Sequence, residues 1–188
     1  GIWLVMRDGQ MRHFSHKGHH RESTAYNNVR EMCEDKDGNI WMCTYGGLVK
    51  IDADTMKMVH YKYDFDQEAY NIRSISSMLY DSQGSLWLGS FHNGVCVYNP
   101  DFDIYSNYQA KRDVKGRLSS PVISCIAEDD NGRLFIGTEG EWVNVLDLNT
   151  RVFSRPSMPE LLHDHTVKSM LYSRQDGVLY VANLFGGI

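Results

Sequence analysis

Several groups of residues in this chain have the types and spacing that chemistry uses. Glu139 and Glu141 are carboxylates two residues apart. Alternation along an extended chain aims both the same way, and a pair about 5–10 Å apart is what glycoside hydrolysis requires. His13, His16, His19 and His20 crowd one stretch, and His163, Asp164 and His165 another; these are zinc-ligand types. Tyr45, Phe91, Trp142 and Phe185 recur at intervals, with His92 and Asn93 beside the second and the two glutamates beside the third. Flat rings against C–H faces, with polar groups for hydroxyls, are what sugar recognition uses.

Against these stand the plainer readings. The first histidine stretch has no cysteine or carboxylate at a ligand spacing, and two alternating ligands around Asp164 do not complete a metal site. No metal and no cofactor are therefore expected. No Gly-x-Ser-x-Gly elbow, phosphate loop or His-Glu-x-x-His occurs. With only Glu139 and Glu141 as a candidate pair, no catalytic residue is assigned. Cys33, Cys43, Cys96 and Cys125 include no Cys-x-x-Cys pair and lie in apolar runs, so they read as buried thiols acting as small hydrophobes.

The elements that position these residues come from a repeat. Val29–Thr44, Ile75–Ser90, Ile123–Thr138 and Val167–Asn183 align. Their turn glycines, Gly38, Gly84, Gly132 and Gly177, are 46, 48 and 45 residues apart. A period near 45 built of strand-like units is that of propeller blades. In the first three units an apolar run ends in Asp-x-x-Gly (Asp35, Asp81, Asp129), a type I turn pattern. The next run carries an aromatic (Trp41, Trp87, Phe135, Tyr180) and, two residues on, a small residue (Cys43, Gly89, Gly137, Ala182). A ring beside a small residue lets neighbouring blades interlock. Third strands are expected at Leu48–Asp52, Val95–Asn99 and Val143–Asp147, and fourth strands at Met58–Tyr61, Ile104–Ser106 and Val152–Ser154.

Trp3 aligns with Trp41, which makes the N-terminal segment a second and third strand. The expected organisation is an all-β, incomplete propeller of four-stranded antiparallel blades. It comprises a truncated blade at 1–28, blades at 29–74, 75–121 and 122–166, and a truncated blade at 167–188. Such a segment does not close a ring, so a longer chain supplying the remaining blades is expected. A missing leader then says nothing of compartment. The second-to-third loops, which hold the aromatics, and the connections between blades are expected on one face of the disc.

Composition agrees. The 188 residues are 42% hydrophobic and 23% charged, with 12% aromatics, 16 glycines and 4 prolines, as in a packed, turn-rich protein. No apolar run approaches the roughly 20 residues a helical membrane span needs. The net charge of −5 disfavours nucleic-acid binding. The polar connections near residues 62–74, 107–121 and 155–166 hold Arg73, Arg112, Lys115 and Arg117; these read as solvated loop charge, of a kind that anionic glycans favour.

Taken together, Val29–Asp52 and Ile75–Asn99 resemble the two-component regulator propeller repeat: Val-x-x-Ile-x-x-Asp-x-x-Gly-x-Leu-Trp-Ile-Gly-Thr, then Gly-Leu and an aromatic-Asp ending. The third unit departs at Phe135 and at Glu141-Trp142, the fourth at Ser173. The resemblance implies seven-bladed propellers in the periplasmic sensor region of a Bacteroidetes-type hybrid two-component system. It implies a membrane span, and a histidine kinase, receiver and DNA-binding domain beyond it. It also implies a glycan breakdown product as the stimulus, so the expected partner is an oligosaccharide, contacted at Tyr45, Phe91, His92, Asn93, Glu139, Glu141, Trp142 and Phe185. Sensors of this type can form homodimers. The competing readings are a propeller of an extracellular polysaccharide-active enzyme, and a protein-interaction or structural propeller.

Overall fold

A computed structural model describes residues 1–15, 17, 26–61, 74–101, 104–111, 114–156 and 166–184. They form five antiparallel sheets in chain order. The first is a hairpin of β1 (Ile2–Val5) and β2 (Met11–Phe14). Three four-stranded sheets follow: β3 (Val29–Glu34), β4 (Ile40–Thr44), β5 (Gly47–Ile51) and β6 (Met58–Tyr61); β7 (Ile75–Tyr80), β8 (Leu86–Ser90), β9 (Val95–Asn99) and β10 (Ile104–Tyr108); β11 (Ile123–Glu128), β12 (Arg133–Thr138), β13 (Val143–Asp147) and β14 (Phe153–Ser154). The last is a hairpin of β15 (Val167–Ser173) and β16 (Val178–Asn183). Each four-stranded sheet is a meander, and the first strands β3, β7, β11 and β15 run beside one another. This is an unclosed run of propeller blades.

The core lies between blades. Trp41, Cys43 and Leu48 pack on Met78, Leu86, Leu88 and Tyr98 of the next sheet. Trp87 and Val95 pack in turn on Ile123, Leu134, Ile136 and Leu146. A central blade is thus covered on both faces, which is why β8 is buried throughout. The cysteines are free. Burial pushes Cys33, Cys43 and Cys96 up to about 12 and Cys125 to about 11. Protonated, they pack as apolar groups.

The turn aspartates clamp each blade. Asp35 Oδ1 accepts from Asp37 N and Asn39 N, and its Oδ2 accepts from Trp41 Nε1 at 2.8 Å. Asp81 repeats the pattern with Gln83 N, Ser85 N and, at 2.6 Å, Trp87 Nε1. Burial alone would raise the Asp35 carboxyl, but hydrogen bonds led by Trp41 and Asn39 hold it below the usual carboxylate range. Where Phe135 lacks an indole donor, Arg133 replaces it: its Nε reaches Asp129 Oδ2 at 2.6 Å. In the fourth unit Ser173 has no such role and instead donates to Asp176.

The N-terminal hairpin corrects the strand assignment made from Trp3. Ile2 pairs with Phe14 as Leu48 pairs with Tyr61 and Val95 with Tyr108. A Cβ on Gly1 would meet the Phe14 carbonyl, as one on Gly94 would meet the Tyr108 carbonyl. β1 and β2 are therefore the third and fourth strands of their blade, and Ile2 and Phe14 pack on Met42, Val49 and Ile51. Three smaller boundaries also move, one of them the start of β14, which is Phe153 and not Val152. The first full blade's third strand is Gly47–Ile51, one residue earlier than expected, and β10 runs on to Tyr108.

Sheets also join through a carboxylate. Glu31 accepts from the Met78 N–H of the next sheet at 2.5 Å. Burial of its carboxyl end raises its pKa above the usual value, and that hydrogen bond offsets the rise in part. A raised carboxyl favours the protonated form in the fold, so stability falls as pH rises through about 4.5 toward the folded-state value. Glu31→Gln keeps an acceptor and removes the charge. We expect its melting temperature to match or exceed that of the parent at pH 7, with the gain vanishing below pH 4. A lower melting temperature at pH 7 would refute this.

Candidate functional site

The second-to-third loops and the connections between blades do share one face. Phe91 N donates to Ser74 O, Glu139 N to Val122 O and Leu184 N to Thr166 O, each joining such a loop to the connection leading into its blade. Of the expected contact residues, Tyr45, Phe91, His92, Asn93, Glu139, Glu141 and Trp142 lie on these loops. Phe185 lies outside the described residues, as do Arg73, Arg112, His16, His19, His20, His163, Asp164 and His165.

The structure breaks this set into two parts. Tyr45 and Phe91 are joined by Arg30, whose guanidinium lies 4.4 Å from the first ring centroid and 5.4 Å from the second. One flat cation thereby bridges two blades. His92 is exposed, and Asn93 is fixed by its N–H to Ser90 Oγ at 2.7 Å. The second part is a cavity of about 380 Å³ lined by Glu139, Gly140 and Glu141 on one side and Ser119, Ser120 and Pro121 on the other. Glu139 is ion-paired with Lys168 at 3.1 Å, and Glu141 lies 3.9 Å from Arg155. The two carboxylates are thus held by different cations.

Trp142 stands out. Its carbonyl accepts from Thr138 N and Oγ1, as the Gly94 carbonyl accepts from Ser90 N and Oγ. Trp142 therefore occupies the position of Gly94 and shares its left-handed backbone: φ is +62° for Trp142 and +74° for Gly94. An L side chain there costs about 1–2 kcal/mol. In the second blade a Cβ at Gly94 would lie 2.4 Å from the Tyr108 carbonyl, at the end of β10. In the third blade β14 stops at Ser154, two residues short of the matching place. The shortened strand makes room for a side chain where the other full blades carry glycine.

The residues that sequence reading missed are Arg30 and Lys168. Both sit at a β-bulge that recurs at the start of each first strand, between Val29 and Glu31, Ile75 and Ser77, Ile123 and Cys125, and Val167 and Ser169. The extra residue is turned out of the ladder. It is Arg30, Ser76, Ser124 or Lys168, and Ser76 uses its freedom to donate to Ile123 O across the blade junction. Equivalent positions across the repeat were the available signal. Among the described residues no group of three or more His, Cys, Asp or Glu could hold a metal, and no helix is long and apolar enough to cross a membrane. His13 stacks on Trp3 at 4.4 Å.

Comparison with known proteins fits this geometry. The family model of the two component regulator propeller matches residues 25–46, 70–92 and 117–140. Each match runs from ahead of a first strand into the loop after the second. No curated protein gives a significant match. Among solved structures, the extracellular domain of a protein assigned to the hybrid two component systems of B. thetaiotaomicron aligns with TM-score 0.72 and 22% identity. The alignment covers 86% of this chain and 23% of that one. Virginiamycin B lyase from Staphylococcus aureus aligns with TM-score 0.74 and 12% identity, over 98% of this chain and 56% of the other. PorZ, a surface component of the type-IX secretion system of Porphyromonas gingivalis, aligns with TM-score 0.68 and 18% identity, over 94% and 28%. At these identities the likeness is one of fold, and the chain spans about a quarter of the length of the first relative. Repeat period, strand order, turn clamps and family match agree: the three full blades carry two component regulator propeller repeats.

Proposed function

We propose that this chain is an extracytoplasmic ligand-sensing segment of a hybrid two-component signalling protein. In this reading it detects an oligosaccharide on its loop face and biases the protein between signalling states that a histidine kinase reads. The repeat match and the extracellular setting of the B. thetaiotaomicron relatives support the cellular role. One observation carries the ligand site: Trp142 is kept in a strained conformation beside the cavity of Glu139 and Glu141, at a place where glycine serves the fold elsewhere. Met56, Ser74 and Arg151 share a left-handed φ, but of these four only Trp142 stands where the other full blades carry glycine, which points to a use for its side chain.

The test is a thermal-shift screen of the full-length protein against plant, host and microbial oligosaccharides. Ligand at 100-fold over its dissociation constant should add about 2.7 kcal/mol. A selective shift with the sugar intact supports the reading. No shift across the panel for a folded sample refutes it, and cleavage of the sugar moves the assignment to an enzyme. Trp142→Gly removes the ring and the strain together. It should fold at least as stably as the parent and bind the selected sugar 10-fold or more weakly by calorimetry.

A further inference from the structure

The short β14 has a second effect, at the outer rim. β6 has four residues and β10 five, but β14 has two and is followed by Arg155 and Pro156. Proline has no N–H with which to continue the pairing to β13. Lys111 and residues 114–120 partly fill the gap: Lys111 N donates to Leu118 O, and Ser119 is bonded at both its N–H and its hydroxyl to the buried side chain of Asn144. Beneath it remain two adjoining cavities of about 490 and 480 Å³, which share Arg117 and Phe153. Each is of the size that holds small ligands.

Their chemistry is one-sided. Lys115, Arg117 and Arg155 line the first cavity; Lys111 and Arg117 line the second. No carboxylate is among the described lining residues of either, in a protein of net charge −5. The floor is aromatic, with Tyr108 stacked on Trp87 at 5.8 Å and edge-on to Phe153 at 5.4 Å. Asn107 lines the second cavity and its side-chain oxygen is buried without a hydrogen-bond partner. A buried acceptor left unpaired is destabilising unless a ligand or water supplies a donor.

We propose that this rim cleft between β10 and β14 binds an acidic oligosaccharide. Its carboxylate or sulfate groups would sit on Arg117 with Lys111, Lys115 and Arg155 around it, its sugar faces on the Tyr108 and Phe153 rings, and a hydroxyl on Asn107. A guanidinium presents paired N–H donors that fit two oxygens of a carboxylate or of a sulfate group. The choice of a sugar rests on the sensing role proposed above; the place and the anionic character rest on the cleft. Arg155 joins the two regions, since it lines the cleft and lies 3.9 Å from Glu141 of the loop-face cavity.

The test is calorimetric titration of the full-length protein with tetragalacturonate, a sulfated glycosaminoglycan disaccharide, neutral cellotetraose and sodium sulfate, each repeated with Lys115→Ala/Arg117→Ala. Both replaced side chains are on exposed residues, and matching melting curves would establish that the variant folds. One acidic sugar should bind, and the one that does names the anion. Binding should weaken at least 10-fold in the double variant and fall as NaCl rises from about 50 to 300 mM. An acidic sugar bound equally by the variant, or sulfate alone bound as an adventitious ion only, would overturn the proposal. Binding of cellotetraose alone would leave the sensing role intact and remove this one. Binding of no sugar would remove both.

Discussion

Asp81→Ala should destabilise the protein by about 3 kcal/mol in urea unfolding. The Asp81 carboxylate is buried and accepts three hydrogen bonds, two from the turn and one from the indole of Trp87, which is itself 0% exposed. Its removal leaves an indole N–H with no acceptor in a closed interface, a loss of about 1–3 kcal/mol, and takes two turn bonds with it at about 1 kcal/mol each. Trp87→Phe removes the donor from the other side. A double-mutant cycle should give a coupling of 1 kcal/mol or more between the two residues. The third blade supplies a sharper check, because there Arg133 serves Asp129 beside Phe135. Ser85 stands four residues after Asp81, as Arg133 stands after Asp129. Ser85→Arg should therefore recover part of the stability lost in Trp87→Phe. If the double variant is no more stable than Trp87→Phe, the substitution logic fails.

Gly89→Val should be at least as damaging, for a purely steric reason. A Cβ at Gly89 would lie 2.3 Å from Ser77 Oγ and 2.6 Å from Ile123 Cγ2 of the next blade. Both neighbours are buried, Ser77 at 1% and Ile123 at 0% exposure. Neither can retreat, so the two sheets must part. Overpacking of this kind commonly costs about 1–3 kcal/mol, and a branched residue belongs at or above the upper end. Ser77 Oγ has no hydrogen-bond partner, so Ser77→Ala should be neutral or stabilising alone. It should recover part of the loss in Gly89→Ala but little in Gly89→Val, where Ile123 still blocks. Equal losses with and without Ser77→Ala would refute this account. The first blade carries Cys43 at the same position. It is tolerated because the residue opposite, Glu31, sends its side chain away to Met78 N.

Much of the fold was legible because the repeat is dictated by local chemistry. The Asp-x-x-Gly turns fold as read, with φ of +79°, +85° and +71° at Gly38, Gly84 and Gly132. The error lay at the N-terminus, where Trp3 was matched to Trp41 by residue type alone. The better signal was Met11-Arg-His-Phe14 against Met58-Val-His-Tyr61, the same sequence of apolar, open, polar and aromatic positions on an outer strand. The candidate site was less legible. Its loops could be placed on one face, but the bulge that brings Arg30 between Tyr45 and Phe91 shows only when equivalent positions of the repeat are compared. The rim cleft depends on where β14 ends, and Pro156 was its one visible sign.

The exchange of an indole for a guanidinium at Asp129 also bears on how such proteins are counted. Within the three full blades the aromatic beside the turn is tryptophan only at Trp41 and Trp87, whereas the acidic turn residue is present in all three, at Asp35, Asp81 and Asp129. A census keyed to tryptophan would skip the third blade and take it for a spacer. Keyed to the carboxylate and whatever donor reaches it, the census finds it. Recognition rules for divergent members of this architecture should therefore be written on the acceptor, with its donor left free to vary between positions four and six residues downstream.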